Sequence, residues 1–510
     1  MGKRPKIALP SEITIKLSDP GMTIFHKVGL AGLWMTLQKF EEDKSLMRTV
    51  PTGAGWKLDD RSVTLVYGAN PKTFFDWLIS NSFRLDKDGL FWFPALGRPE
   101  EHAEHAVVLQ EALLGTFLQH GLTRKADPSK EPTGSKSFTI DDEPHPVHYR
   151  KVFRYNHQKT DLEPGRPVKL AGWCLPGAAE RHAALGETAL DSSAEHALLL
   201  RYTAVGAIYF QIKTRGEGVR PMYSLVLPEI TNLPQYARIR TYFLTYGIKQ
   251  SLAAGSADAG MRVLVELEAA ELLPDVRTGF CRVISFGTLP WSSQQKSRVH
   301  LLEVRPGSAN ALKTYDICRR ALPPRLIRPK GKEEPFWDVS LMPDLVAQNI
   351  STGRPWYQGF ADLIADKDRR KHVFSYEKGG LTNMMKDPTV LSEEPERLFV
   401  LACQEALRRH MGRKHSRPGG ADWETEFEKV RVNIARCKNA ATLRATITDF
   451  WSRGGTLHKG GKTLLVAGDD WWQQVLPLFD ERNWRKAKDL ALLALASYPS
   501  SKEQEKGVEQ

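Results

Sequence analysis

Cysteine is scarce and scattered: Cys174, Cys281, Cys318, Cys403 and Cys437 are the five in 510 residues. Their number is odd and none stands in a Cys-x-x-Cys pair, so neither a disulfide framework nor a zinc knuckle is indicated. Reduced, mostly buried thiols in a cytoplasmic protein are the expectation. No window holds about 18 uninterrupted apolar residues, so no segment is expected to span a membrane. The start, Met1-Gly2-Lys3-Arg4-Pro5-Lys6, is charged where a secretory leader has its apolar core. Lys6 also breaks the myristoylation pattern. No repeat of solenoid length is present.

Catalytic signatures are missing as well. There is no Gly-x-Ser-x-Gly elbow, no kinase or dinucleotide set and no gathered acidic cluster for two metals. Glu101-His102-Ala103-Glu104-His105 has two histidines three apart, whereas a zincin needs them four apart. A solvated helix start is the expected role, since acids suit that end. Gly455-Thr456-Leu457-His458-Lys459-Gly460-Gly461-Lys462-Thr463 has Thr456 where a phosphate loop needs glycine. A basic loop lying along a phosphate backbone fits it better. No catalytic residue, cofactor or metal is assigned, and a binding protein is the expectation.

What is abundant is positive charge. Lys and Arg number 72 against 60 Asp and Glu, for a net charge of +12 and a pI near 9.3. Such an excess favours polyanions, because neutralised phosphates release condensed counterions. Two segments concentrate it. Residues 313–332 hold Lys313, Arg319, Arg320, Arg325, Arg328, Lys330 and Lys332 against Asp316 alone. Pro323, Pro324 and Pro329 predict a stiff, exposed arm there. Residues 401–463 carry 13 Lys and Arg against 6 acids. Within them Arg408, Arg409, Arg413, Lys414 and Arg417 mark one end of a helical bundle as a phosphate-binding face, with Lys459 and Lys462 in the loop beyond. Trp423, Trp451, Trp471 and Trp472 have ring faces on which bases stack, although helical spacing favours core packing for them.

Periodicity predicts an α+β fold: a mixed α/β N-terminal and central part followed by a C-terminal helical bundle. Residues 1–122 alternate as strands around Ile13, Ile15 and Leu17 and around Val63, Leu65 and Tyr67, with a helix from Phe25 to Phe40. Asp88-Gly89 marks a tight hairpin within 83–93, and a helix is expected from His102 to His120, capped by Gly121. Residues 123–147 read as a linker or flexible loop. Residues 148–340 read as strand-rich, with buried strands at 198–212 and 223–227 and a pair, 280–286 and 298–304, across a polar loop. A helical connector is expected over 341–387, a bundle over 388–500 and a polar tail over 501–510. Helix spacing is clearest at Pro395–His410, Trp423–Ile434, Leu443–Trp451 and Arg485–Leu495.

Three stretches carry a family likeness: Asp19-Pro20-Gly21-Met22-Thr23-Ile24-Phe25-His26-Lys27-Val28-Gly29-Leu30-Ala31-Gly32-Leu33, then Gly353-Arg354-Pro355-Trp356-Tyr357-Gln358-Gly359-Phe360-Ala361, and Phe399-Val400-Leu401-Ala402-Cys403-Gln404-Glu405-Ala406-Leu407-Arg408-Arg409. The chain resembles the large subunit of a type I CRISPR Cascade surveillance complex, in the MYXAN-type branch. The resemblance implies a non-catalytic role. Such subunits recognise a protospacer-adjacent motif in target double-stranded DNA, aid R-loop formation and hold the displaced strand. It implies as partners crRNA-bound backbone subunits, the subunit at the crRNA 5′ handle, small-subunit copies and a recruited helicase–nuclease or transposition proteins. The bundle from 388 resembles the separate small subunit, and Met384-Met385 lie where an internal start would release it. Guide pairing would supply sequence specificity and the protein backbone contacts. Related subunits that carry a Cys-x-x-Cys pair differ here. Two other readings stay open: a metal-dependent nucleic-acid enzyme with scattered acids, and a sequence-nonspecific nucleic-acid-binding protein.

Overall fold

A computed structural model describes residues 11–117, 124–125, 129–155, 162, 168–169, 191–212, 222–273, 279–289, 296–328, 335–415, 423–454, 458–459, 462–463 and 473–499. The chain divides into one unit of Met1–Arg305 with Pro324–Val339, and another of Pro306–Pro323 with Ser340–Gln510. The architecture is α+β, with sheets in the first unit and a helical C-terminal region in the second.

The first unit opens with strands β1 (Glu12–Lys16), β2 (Ala54–Leu58) and β3 (Ser62–Tyr67), in the order β1-β3-β2. Ile13 pairs with Leu65 and Ile15 with Val63, so the alternating residues share one buried face. Between β1 and β2 runs α1 (Ile24–Glu42). The Asp88-Gly89 hairpin is present, with Gly89 at φ 78° and Arg84 opposite Trp92. Helix α2 (Ala103–Gly115) is shorter than expected. It ends at the non-helical Thr116, and Gly115 lies under Tyr223, whose ring would meet an added Cβ at 2.4 Å.

The expected linker contains a hairpin. Strands β4 (Thr133–Ile140) and β5 (Glu143–Arg150) turn at Asp141 and Asp142, both at positive φ. Two such residues match the right-handed twist of the strands. Polar residues fill the exposed face, which is why composition alone read as loop. Tyr149 covers Gly134 and supplies the packing that the glycine lacks.

Residues 198–212, expected as one strand, are instead helix α3 (Ala194–Gly206) running into strand β6 (Ile208–Ile212). A continuous apolar run has no period to separate the two states. The Ser193 hydroxyl caps α3 by accepting from His196 N. Helices α1 and α3 touch through glycine: an added Cβ would lie 2.0 Å from Leu199 O at Gly29 and 2.3 Å from Tyr202 O at Gly32. The carbonyls that end α3 are all met by side chains. Tyr209 Oη donates to Ala204 O at 2.6 Å, Arg240 Nε to Val205 O at 3.1 Å, and Tyr236 Oη to Gly206 O. The fully buried Arg240 on α4 (Leu233–Tyr242) thus faces the negative end of α3. Strand β6 belongs to a five-stranded sheet with β7 (Met222–Pro228), β8 (Leu252–Ala253), β9 (Cys281–Leu289) and β10 (Lys296–Val304), in the order β8-β6-β7-β9-β10. Helix α5 (Ser256–Ala269) packs on this sheet, with Gly260 against Val283 and Val304. The expected 280–286 and 298–304 pair is β9 and β10, with Val283 opposite Leu302.

In the second unit, α6 (Ala309–Ala321) and α7 (Met342–Ser351) precede α8 (Lys367–His372), a π-helical turn (Val373–Glu377) and α9 (Lys378–Met385). Then come α10 (Glu394–His415), α11 (Trp423–Ala435), α12 (Ala440–Gly454) and α13 (Trp484–Ala496). Ala487 and the whole run from Leu490 to Ala496 are buried, so α13 is the central helix. On α10 burial follows Phe399, Cys403, Ala406 and Leu407, while Leu401, expected on the apolar face, is exposed. No described helix is long and apolar enough to cross a membrane.

Candidate nucleic-acid interface

Residues 313–332 do not form the expected arm. Lys313, Arg319 and Arg320 lie on α6, in the second unit. Arg325 and Arg328 lie at a short strand, β11 (Arg325–Ile327), paired with β12 (Phe336–Asp338) in the first. The prolines stop the helix after Ala321 rather than excluding it: Ser308 caps its start and Cys318 O accepts from the C-cap, Leu322.

Every arginine of this set has an acid beside it. Asp316 Oδ1 lies 2.9 Å from Arg319 and Asp316 Oδ2 lies 2.5 Å from Arg320. Arg325 reaches Asp338 at 2.8 Å and Arg328 reaches Glu143 at 2.9 Å. Arg320 still has a side chain 75% exposed. Exposed Lys313 faces Asp387, whose carboxyl is held low by hydrogen bonds from Thr389 and, less, by that lysine's charge. Lys330 and Lys332 lie outside the described residues.

On α10, Glu405 holds both arginines that follow it, Arg408 at 2.6 Å and Arg409 at 2.8 Å. Their hydrogen bonds keep the Glu405 carboxyl below the usual range. Arg408 is 52% exposed and Arg409 only 9%, so the first is open to solvent and the second is not. Arg413 and Lys414 lie on the last turn of α10. Arg417, Trp471 and Trp472 fall outside the described residues. Lys459 stands opposite Lys462 in a two-stranded ladder. Trp451 is buried beside Phe399 and Phe479, a core role.

One cationic segment escaped the sequence reading. Helix α8 is Lys367-Asp368-Arg369-Arg370-Lys371-His372, inside a stretch read only as connector. Its signal, four Lys and Arg in five residues, was visible but shorter than the runs around it.

The three family-like stretches turn out to be packing devices. The first supplies Gly29 and Gly32 of the α1–α3 seam, and Thr23 and His26 cap α1. In the second, Trp356 Nε1 donates to Val390 O, and Asn349 Nδ2 donates to Trp356 O and Gln358 O. Asp489 on α13 accepts from Gly359 N at 2.9 Å and Ala361 N at 2.8 Å. Burial, opposed by those two bonds, raises this carboxyl to about 6. The third stretch supplies the buried side of α10 through Phe399, Cys403, Ala406 and Leu407, while its Leu401 and Arg408 are exposed.

The histidine–acid stretch at 101–105 is tied up structurally. Glu104 accepts from Ile248 N at 2.8 Å. Burial, with Arg240 nearby, lowers the His105 imidazole to about 3 and keeps it neutral. Among the described residues no three His, Cys, Asp or Glu gather as metal ligands. Cys281, Cys318, Cys403 and Cys437 are buried free thiols. Two cavities lie among the described residues. That of 380 Å³ lies between α2, the β4–β5 hairpin and Trp337; that of 580 Å³ is walled by Trp356, Glu396 and Lys486.

Residues 14–201 match the DevT N-terminal domain and residues 388–510 the DevT C-terminal domain. The chain is similar to the CRISPR-associated protein Cas8a1/Csx13 of Myxococcus xanthus (strain DK1622). Identity is 28% over 533 aligned residues, covering 97% of this chain and 90% of that protein.

Proposed function

Because this chain is a type I CRISPR Cas8-like large subunit with both DevT domains, we propose that it reads a short protospacer-adjacent motif in duplex DNA within a crRNA-guided Cascade complex. The observation that carries this reading is similarity along 97% of the chain, not in one domain alone. The net charge of +12 is consistent with it. In this reading the chain stands beside the subunit at the crRNA 5′ handle and the crRNA-bound backbone, helps open the duplex and holds the displaced strand. It presents a surface to a helicase–nuclease or to transposition proteins, works in the cytoplasm and performs no chemistry itself. The bundle from residue 388 acts as a small-subunit-like element, and Met384-Met385 offer an internal start for further copies.

Among the expected phosphate contacts, Arg320 and Arg408 are the best placed by exposure, and Lys313, on the same helix α6 as Arg320, is exposed as well. Arg319 and Arg409 serve to hold Asp316 and Glu405.

The test is duplex opening by the complex assembled with and without this chain. Permanganate footprinting on a target with randomised flanks should show unpaired thymines only with the chain present and only beside particular flanking sequences. Opening that is equal without the chain, or indifferent to the flanks, contradicts the reading. The purified chain, with Mg²⁺ or Mn²⁺, should leave DNA and RNA intact; cleavage that follows it through purification assigns it an enzyme's role instead.

A further inference from the structure

Helix α8 differs from the cationic segments already described in how its charges are partnered. Lys367, Arg369 and Lys371 are exposed, and among the described residues neither Lys367 nor Lys371 has a carboxylate within ion-pair distance, whereas the backbone N–H of Arg369 and, less, its charge help to hold the Asp366 carboxyl low. Arg370 turns back to donate to Ile364 O and Ala365 O, closing the preceding turn. The acids nearby are disposed of differently. Asp366 is the N-cap, its carboxylate accepting from Asp368 N and Arg369 N. Asp368 is exposed, in the first turn.

The helix does not end at His372 but widens into the π-helical turn Val373–Glu377. Such turns recur at functional sites because one extra residue re-aims the side chains around it. Here Glu377 turns inward: it is 3% exposed, and its Oε1 lies 2.8 Å from His372 Nδ1. Tyr376 turns outward, 57% exposed, with its ring 5.5 Å from the His372 imidazole. The buried pair thus hides an acid that would repel phosphate and backs an aromatic ring that solvent reaches. From Lys367 to Tyr376 the helix advances roughly 13 Å.

We infer that α8 and the π-helical turn form a binding face for single-stranded nucleic acid, with Lys367 and Lys371, four apart on one side of the helix, on phosphates and Tyr376 stacked on a base. Cations alone would serve a duplex equally, since both forms offer phosphates. An exposed ring favours the single strand, because only unpaired bases present their faces. The inference rests on the nucleic-acid reading above and assigns that reading a site on the connector before residue 388.

The test uses the full-length chain with a fluorescent single-stranded oligonucleotide and the same sequence as duplex, titrated at several salt concentrations. Replacing Lys367→Glu and Lys371→Glu together should weaken single-strand binding at least tenfold. It should also lower the salt slope by about 1.4, as expected for two lost contacts on a single strand. Tyr376→Leu should weaken single-strand binding about tenfold and leave the duplex unchanged. The neutral pair Lys367→Gln and Lys371→Gln gives a milder version of the slope change and guards against misfolding, which circular dichroism checks. An unchanged slope in a folded variant, equal effects of Tyr376→Leu on both forms, or no single-strand binding by the wild type overturns the inference. Recovery of guide RNA with the tagged wild-type chain is scored separately. If guide RNA is recovered and the slope does not move, the face is wrong and the Cascade reading stands.

Discussion

Asp316 and Glu405 sit three or four residues from the arginines they hold, spacing that a helix brings onto one face. Once Pro323 and Pro324 suggested an arm, that spacing lost its meaning. Asp338 and Glu143 are remote in sequence from Arg325 and Arg328, and only the β11–β12 pairing and the β4–β5 hairpin bring them near. Exposure then ranks the residues. Arg320→Glu and Arg408→Glu should each lower the magnitude of the salt slope of DNA binding by about one, while Arg409→Gln should leave it unchanged and cost stability. Equal slopes for the wild type and the first two variants would remove them from the interface.

Asp489 gives a second prediction at this scale. Its carboxyl rises from an ordinary 3.8 to about 6 because burial outweighs the two backbone bonds it accepts. Between those values the folded chain keeps a proton that the unfolded chain has released. The stability this contributes is fully present below about pH 4 and is lost as pH rises through about 6. At about 1.4 kcal/mol per unit, the difference in unfolding free energy between wild type and Asp489→Asn should shift by about 2 kcal/mol from about pH 4 to about pH 7. Denaturant titration at both pH values measures it; a constant difference contradicts the account.

Among elements, the alternating strands around Ile15 and Val63 were plain because one face is buried and one is not. Helix α3 was hidden because both of its sides are buried, so polarity never marks a turn. The β4–β5 hairpin was hidden for the opposite reason, too little apolar content. The glycines of the first family-like stretch could be singled out, but not their cause, which is the approach of two helix backbones. In an ordinary helix interior Gly→Ala stabilises by up to about 1 kcal/mol. At Gly29 an added Cβ meets the Leu199 carbonyl, which cannot swing aside as a side-chain tip would. Gly29→Ala should therefore destabilise the chain by about 1–3 kcal/mol, read from the denaturation midpoint. A neutral or stabilising result would mean that α1 and α3 do not pack at this distance.

For the whole molecule, the α+β order and the helical C-terminal region followed from the change of period near residue 340, since long helices have the strongest patterns. How the bundle is held was not legible. Asp489 grips Gly359 and Ala361, Trp356 donates to Val390 O, and Thr382 donates to Ser497 O. All three join residues before 388 to residues after it. A fragment of residues 340–510 should accordingly unfold at higher denaturant than one of residues 388–510, the piece proposed to act as a small subunit. If the shorter fragment is as stable, these bonds contribute nothing to the bundle and an internal start near Met384 becomes more plausible as a source of free copies.

The central claim is membership of a guide-RNA complex. Its most direct measurement is purification of the tagged chain from cells expressing its own operon, followed by sequencing of the RNA and identification of the proteins that come with it. Repeat-derived guide RNA and backbone subunits in fixed ratio to the chain are the predicted result. The chain recovered alone, from an operon whose other subunits assemble on guide RNA without it, would contradict the account.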